Sequence, residues 1–188
     1  MHELIKLAKD SILFFLNNSF NYNDKNLIVL ESVKKKYSDN LGVFVTIKIY
    51  DELRGCIGYI ETDNPLYKSV IECAQLAAFD DPRFEPLTRE EFEKITLEIS
   101  VLTKPQLVSF KTAEELKNKI VVGKHGLIIE KGNKRGLLLP QVATEYNWTS
   151  EEFLNHTCSK AGLSQNTWKE KTDFKIFTFE ANVIEEND

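Results

Sequence analysis

The stretch LGVFVTIKIYDELRGCIGYIE, residues 41–61, decides the fold. Residues 41–50 are rich in Val, Ile and Phe, the composition of a strand. The run breaks at Asp51 and Glu52 and resumes over residues 56–61, so the pair reads as a β-hairpin. Within it stands Leu53-Arg54-Gly55-Cys56-Ile57-Gly58. Two glycines in so short a run weaken a strand by entropy and missing packing, so they require a local reason. One reason is a bulge or a left-handed residue at the turn; the other is close approach to the backbone by a ligand or another loop. With the strand starting at Gly55, Arg54 and Cys56 project to one side, where a guanidinium favours the thiolate and raises its reactivity. A free cysteine equally serves as a small hydrophobe packed under a sheet, and the residues leave both readings open.

Before the hairpin, Ile5, Ala8, Ile12, Phe15 and Leu16 recur at helical spacing, and the polar stretch 17–26 reads as a loop. After it, Asn64 caps and Pro65 opens a helix whose buried stripe is Leu66, Val70, Ile71, Ala74 and Ala77. That helix ends at residues 80–84, because the residue before Pro82 is driven out of helical geometry. Thr88 with Glu91 forms a capping box, and Ile95, Leu97, Ile99 and Val101 alternate through a half-buried strand. The second half follows the same plan. Thr112 with Glu115 caps a short helix, and residues 126–131 and 135–139 flank a turn at Gly132 and Asn133. Helices follow over 141–146 and 151–161, the latter capped by Thr149 with Glu152 and ended by Gly162. Phe177, Phe179, Ala181 and Val183 form a last strand.

These elements predict an α+β fold of duplicated strand-strand-helix-strand units around a mainly antiparallel sheet, with helices packed on it. Sequence identity between the halves is negligible, so the duplication is one of structure. The 188 residues suit a single domain, 1–188, or two closely packed lobes.

Composition narrows the function. A net charge of −5 argues against a non-specific polyanion binder, and Lys34, Lys35 and Lys36 read as the solvated side of a helix, so no nucleic acid is expected. Three cysteines are too few for a disulfide framework. Neither a secretory leader nor a membrane span is read, which leaves a reducing, cytoplasmic setting. Phosphate-binding glycine loops, a Gly-x-Ser-x-Gly elbow and zinc-ligand spacings are absent, so neither cofactor nor metal is expected. His156 and Cys158 stand two apart on a helix and face different ways; Cys73 lies in an apolar stripe and reads as core. Glu98, on the strand face opposite Ile99, reads as solvated. Arg83 either binds an anionic group or braces its own loop through Asp80 or Asp81. His125, at the start of a strand between Gly123 and Gly126, is the leading base for Cys56, or else a turn histidine bonded to nearby backbone.

The hexapeptide at 53–58 resembles the hallmark of the AMMECR domain family, without departure inside the motif. The resemblance continues in order through Ala77-Ala78-Phe79-Asp80-Asp81-Pro82-Arg83-Phe84, Glu98-Ile99-Ser100-Val101-Leu102 and Gly123-Lys124-His125-Gly126-Leu127. Leu139-Pro140-Gln141-Val142, Lys160-Ala161-Gly162-Leu163 and Trp168 complete it, so the match is strongest over roughly residues 40–180. It implies a prokaryotic member with a two-lobed α+β fold and no settled biochemical activity. Prokaryotic relatives stand alongside a radical S-adenosylmethionine protein and a Memo-like protein, which implies a shared pathway by association.

Two functions are expected. In one, the chain is an enzyme or enzyme subunit with a cleft around 53–58 acting on a small molecule or modified substrate. Cys56 is then nucleophile or covalent carrier, Arg54 stabilises the thiolate or a bound anion, and His125 is acid/base. In the other, the hairpin is a non-catalytic binding or scaffold surface. There Leu53, Arg54, Gly55, Ile57 and Gly58, with Arg83, meet a small molecule or protein partner, and Cys56 only packs.

Overall fold

The computed structural model describes residues 1–18, 27–170 and 173–186. It divides into two units, Met1–Leu102 with Asn182–Asp188 and Thr103–Ala181.

The first unit opens with α1 (Glu3–Asn17), whose start is fixed by the His2 ring accepting from the Leu4 amide. Its stripe of Ile5, Ala8, Ile12 and Phe15 is buried, as the spacing requires. Of the stretch read as a loop, positions 19–26 lie outside the described residues. A short α2 (Glu31–Lys36) carries Lys34, Lys35 and Lys36 in its last turn, where cations suit the helix dipole. Strands β1 (Val43–Ile49) and β2 (Glu52–Tyr59) form the hairpin; α3 (Leu66–Phe79), α4 (Arg89–Phe92) and β3 (Ile95–Leu102) follow. Pro65, rather than Asn64, holds the cap position of α3, and no side chain caps it. The box of Thr88 and Glu91 starts α4.

β1 is the middle strand, antiparallel to both β2 and β3. Its Val43, Val45 and Ile47 are buried and pair across the sheet with Val101, Ile99 and Leu97 on one face. That face meets the stripes of α1 and α3 in one core; each fully buried Val, Leu or Ile there contributes roughly 1.5–3 kcal/mol. Phe44, Thr46 and Lys48 alternate onto the other face.

The hairpin departs from expectation at its tip. β2 begins at Glu52, four residues before the predicted restart, because Tyr50 and Asp51 alone make the turn, both left-handed with φ of 53° and 64°. Ile47 then pairs with Gly55 but Lys48 with Leu53, so Arg54 is the extra residue of a β-bulge. The two glycines have separate reasons. A Cβ on Gly55 would lie 2.1 Å from the Ala77 carbonyl oxygen of α3, whereas one on Gly58 would strike the Phe44 ring at 2.4 Å. What approaches these backbones is the protein itself.

The second unit contains β4 (Gln106–Leu107), α5 (Ala113–Lys119), β5 (His125–Lys131), β6 (Lys134–Leu138), α6 (Pro140–Glu145) and α7 (Ser150–Lys160). A 3-10 turn (Thr167–Lys169) leads into β7 (Lys175–Glu185), which belongs to this unit as far as Ala181. β5 and β6 form a hairpin about Gly132, β7 returns antiparallel to β5, and β4 pairs with β7. Leu127, Ile129, Phe153, Leu154, Cys158 and Ile176 form its core. Each unit thus has a hairpin, intervening helices and a strand returning beside the hairpin's first strand. Among the described residues, no helix is long and apolar enough to cross a membrane.

Gly55→Ala is expected to cost about 2–4 kcal/mol, since neither backbone involved can yield without moving α3. Gly132→Ala, where a Cβ meets nothing within 4 Å but φ is +60°, should cost only about 1–2 kcal/mol. Urea denaturation midpoints of the two variants test the order; equal losses would contradict the packing at Gly55.

Candidate functional site

β2 lies at the margin of the first unit's sheet, so alternate backbone groups on it face away from β1. At Cys56 those groups are met by one loop. The Cys56 amide donates to Asp81 Oδ2 at 2.9 Å, and its carbonyl accepts from Arg83 Nη2 at 3.3 Å. A carboxylate and a guanidinium thereby stand where a neighbouring strand would place its own acceptor and donor. Arg83 also clamps Asp81 bidentately, through Nε at 2.9 Å and Nη2 at 2.6 Å, while its amide donates to the same carboxylate. Asp81 is only 4% exposed, yet these donors, Arg83 foremost, hold its carboxyl far below the usual carboxylate range.

The Cys56 side chain points to the face opposite the core. Its Sγ accepts from Thr46 Oγ1 at 3.4 Å. Thr46 pairs with Cys56 on one side and with Glu98 on the other, so thiol, hydroxyl and carboxylate form a row across three strands. Lys48, two residues along β1, donates to Glu98 at 2.7 Å, and this bond raises the lysine's pKa. Glu98, read from sequence as a solvated residue, is therefore a partnered one.

Arg54 goes elsewhere. The bulge turns it toward α4, where Nε and Nη2 grip Glu91 at 2.9 and 3.1 Å and Nη2 also reaches the Glu85 carbonyl. Its Nη1 is buried with no hydrogen-bond partner among the described residues. Arg54 lowers the Glu91 pKa to about 2, helped by the Thr88 amide that the same carboxylate caps. The guanidinium that contacts Cys56 is thus that of Arg83, at the backbone carbonyl, rather than the expected Arg54, which is held by Glu91. Both guanidiniums lie over the Phe84 ring, at 5.7 Å for Arg54 and 5.5 Å for Arg83.

Of the other residues singled out, Ile57 packs against the core, Gly55 and Gly58 admit the close approaches above, and Leu53 is exposed. His125 belongs to the second unit. Its Nδ1 accepts from the Val121 amide at 3.1 Å, and its own amide donates to the Val121 carbonyl, so the ring closes its own turn. Burial lowers its pKa. In the neutral ring Nε2 then carries the hydrogen, an arrangement suited to donation rather than to accepting a proton. Cys73 and Cys158 are buried, which pushes the first thiol up to about 12 and raises the second. His156 stacks on Trp148 at 3.9 Å. Among the described residues no group of three or more His, Cys, Asp and Glu is placed to hold a metal ion.

Thr46, Lys48 and Glu91 were not singled out from sequence as parts of the site. Alternation with buried neighbours marks the face of Thr46 and Lys48, but only the strand register sets them beside Cys56 and Glu98.

The sequence profile of the AMMECR1 family matches residues 5–184. A protein from Aquifex aeolicus is 48% identical over 190 residues, spanning 100% of this chain and 93% of its own length. One from Methanocaldococcus jannaschii is 46% identical over 168 residues, 88% of this chain and 83% of that protein. The crystal structure of the uncharacterized protein PH0010 from Pyrococcus horikoshii has a TM-score of 0.80 at 40% identity, covering 97% of this chain and 89% of that one.

The depressed carboxyls set an acid limit. The contribution of Glu91 is fully present above its ordinary value of 4.5 and is lost as pH falls toward about 2. Asp81 acts in the same direction, and its loss begins below its ordinary value of 3.8. Glu91→Gln should therefore cost about 1–2 kcal/mol at neutral pH and flatten the fall in urea midpoint on acidification. A wild-type acid profile that the variant reproduces would refute the brace.

Proposed function

The chain belongs to the AMMECR1 family, and we propose that it works through the sheet face centred on Cys56, as an enzyme or enzyme subunit that holds a small molecule or modified substrate against that thiol. One observation carries the reading: Cys56 is bonded through its amide, its carbonyl and its sulfur, yet it alone of the three cysteines is not buried. A residue kept only for packing needs no such anchoring, whereas a reacting or ligand-contacting group does. Cys56 is the nucleophile or covalent carrier, Arg83 contacts the thiolate or a bound anion, and Thr46 orients the sulfur. Asp81 positions Arg83, and the pair of Lys48 and Glu98 supplies the polar floor. Arg54 fixes the bulge from which this face begins.

A second reading rests on the hairpin tip. Tyr50 is 79% exposed and Leu53 46%, and a bulky residue in the left-handed region is strained by about 1–2 kcal/mol without any packing return. A scaffold module would use these two side chains as its anchor on a protein partner.

Alkylation of the native chain by iodoacetamide, followed by peptide mass spectrometry, tests the first reading. Cys56 should react at least several-fold faster than glutathione, and Arg83→Gln should abolish the excess, while Cys73 and Cys158 react only after unfolding. A rate equal to that of a free thiol, indifferent to Arg83, sinks it. Under the second reading Cys56→Ala leaves partner capture intact, whereas joint replacement of Tyr50 and Leu53 by Ala abolishes it.

A further inference from the structure

The second unit holds a cleft of about 230 Å³ lined by Thr103, Gln106, His125, Thr178, Phe179 and Glu180. His125 and Glu180 are register partners on β5 and β7, which sets their side chains side by side on one sheet face. Glu180 is held by its backbone, its amide donating to Thr103 Oγ1 at 2.9 Å and its carbonyl accepting from the Thr103 amide at 2.9 Å. The His125 ring is held by Val121 at Nδ1, which leaves its Nε2–H as the donating group. The Glu180 carboxylate meets Lys124 at 3.3 Å, an ion pair with both side chains about half exposed. Exposed pairs of that kind are weak and readily exchanged.

The cleft therefore sets an uncharged N–H donor beside a carboxylate. A simple anion that drew Lys124 away would leave the Glu180 carboxylate unpaired beside it, and a simple cation leaves the imidazole donor without a partner. A molecule carrying both an ammonium and a carboxylate satisfies the two together. Its ammonium takes the place of Lys124 on Glu180, its carboxylate accepts from His125 Nε2 and from the released Lys124, and its side chain meets Gln106 and Thr178. The volume is below that of pockets for drug-sized ligands, which favours a small molecule. We propose that this cleft is a binding site for a zwitterionic ligand of the α-amino acid class, independent of Cys56.

The test is a titration of the full chain with L-serine, and separately with acetate and with ethylamine, followed by the ring proton and carbon signals of histidine in solution NMR. His2 and His156 serve as internal references. Only L-serine should shift the His125 signals saturably, and Glu180→Gln should weaken that binding at least tenfold while Cys56→Ala leaves it unchanged. Equal shifts with ethylamine or acetate overturn the proposal. So does an unmoved His125 at roughly 100 mM L-serine, or undiminished affinity in a folded Glu180→Gln chain. The comparison of the three probes decides the matter on the wild-type protein even where that variant does not fold.

Discussion

The carbonyl of Ala77 occupies the space that a side chain at position 55 would need, and the site around Cys56 follows from that contact. Backbone lies on backbone there, so α3 approaches β2 more closely than any side chain between them would permit. α3 ends at Phe79, only two residues further on. The chain leaving it is thereby delivered beside the residue that follows Gly55. Asp81 and Arg83 come from that exit, and they take hold of the Cys56 amide and carbonyl. The glycine and the clamp are thus successive steps of one geometry.

The clamp has an electrostatic logic as well as a geometric one. A carboxylate as buried as that of Asp81 is tolerable only when paired and fully bonded, and Arg83 with two backbone amides meets that need. Arg83 remains about half exposed, so the pair joins the interior to the surface within two residues. Arg54 and Glu91 repeat the device one bulge away, with Glu91 also capping α4. The ring of Phe84 lies under both guanidiniums, which binds the two braces into one cluster.

Much of this fold was legible in the sequence because helices and half-buried strands write their period directly. The stripe of Ile5, Ala8, Ile12 and Phe15, the boxes at Thr88 and Thr149, and the alternation from Ile95 to Val101 all rest on local physics. The hexapeptide was legible as a place where glycine had to be explained. What the chain could not display was the direction of Arg54. A bulge changes the face to which a residue points, and it depends on pairing with a distant strand rather than on its neighbours. Tyr50 hid the turn for a related reason: Asp51 is a residue that left-handed turns accept, but a bulky tyrosine before it is not one they ordinarily select. The row of Cys56, Thr46 and Glu98 spans three strands and needed the register of both pairings.

The uneven burial of the three thiols also fixes the chain's valence. Cys73 and Cys158 are sealed in the two cores, and Cys56 alone reaches the surface. A unit with one thiol outside its cores can join one other through it and then has none left. Oxidative coupling of the folded protein therefore terminates at a symmetric pair, and a branched or extended polymer requires that one of the cores first open.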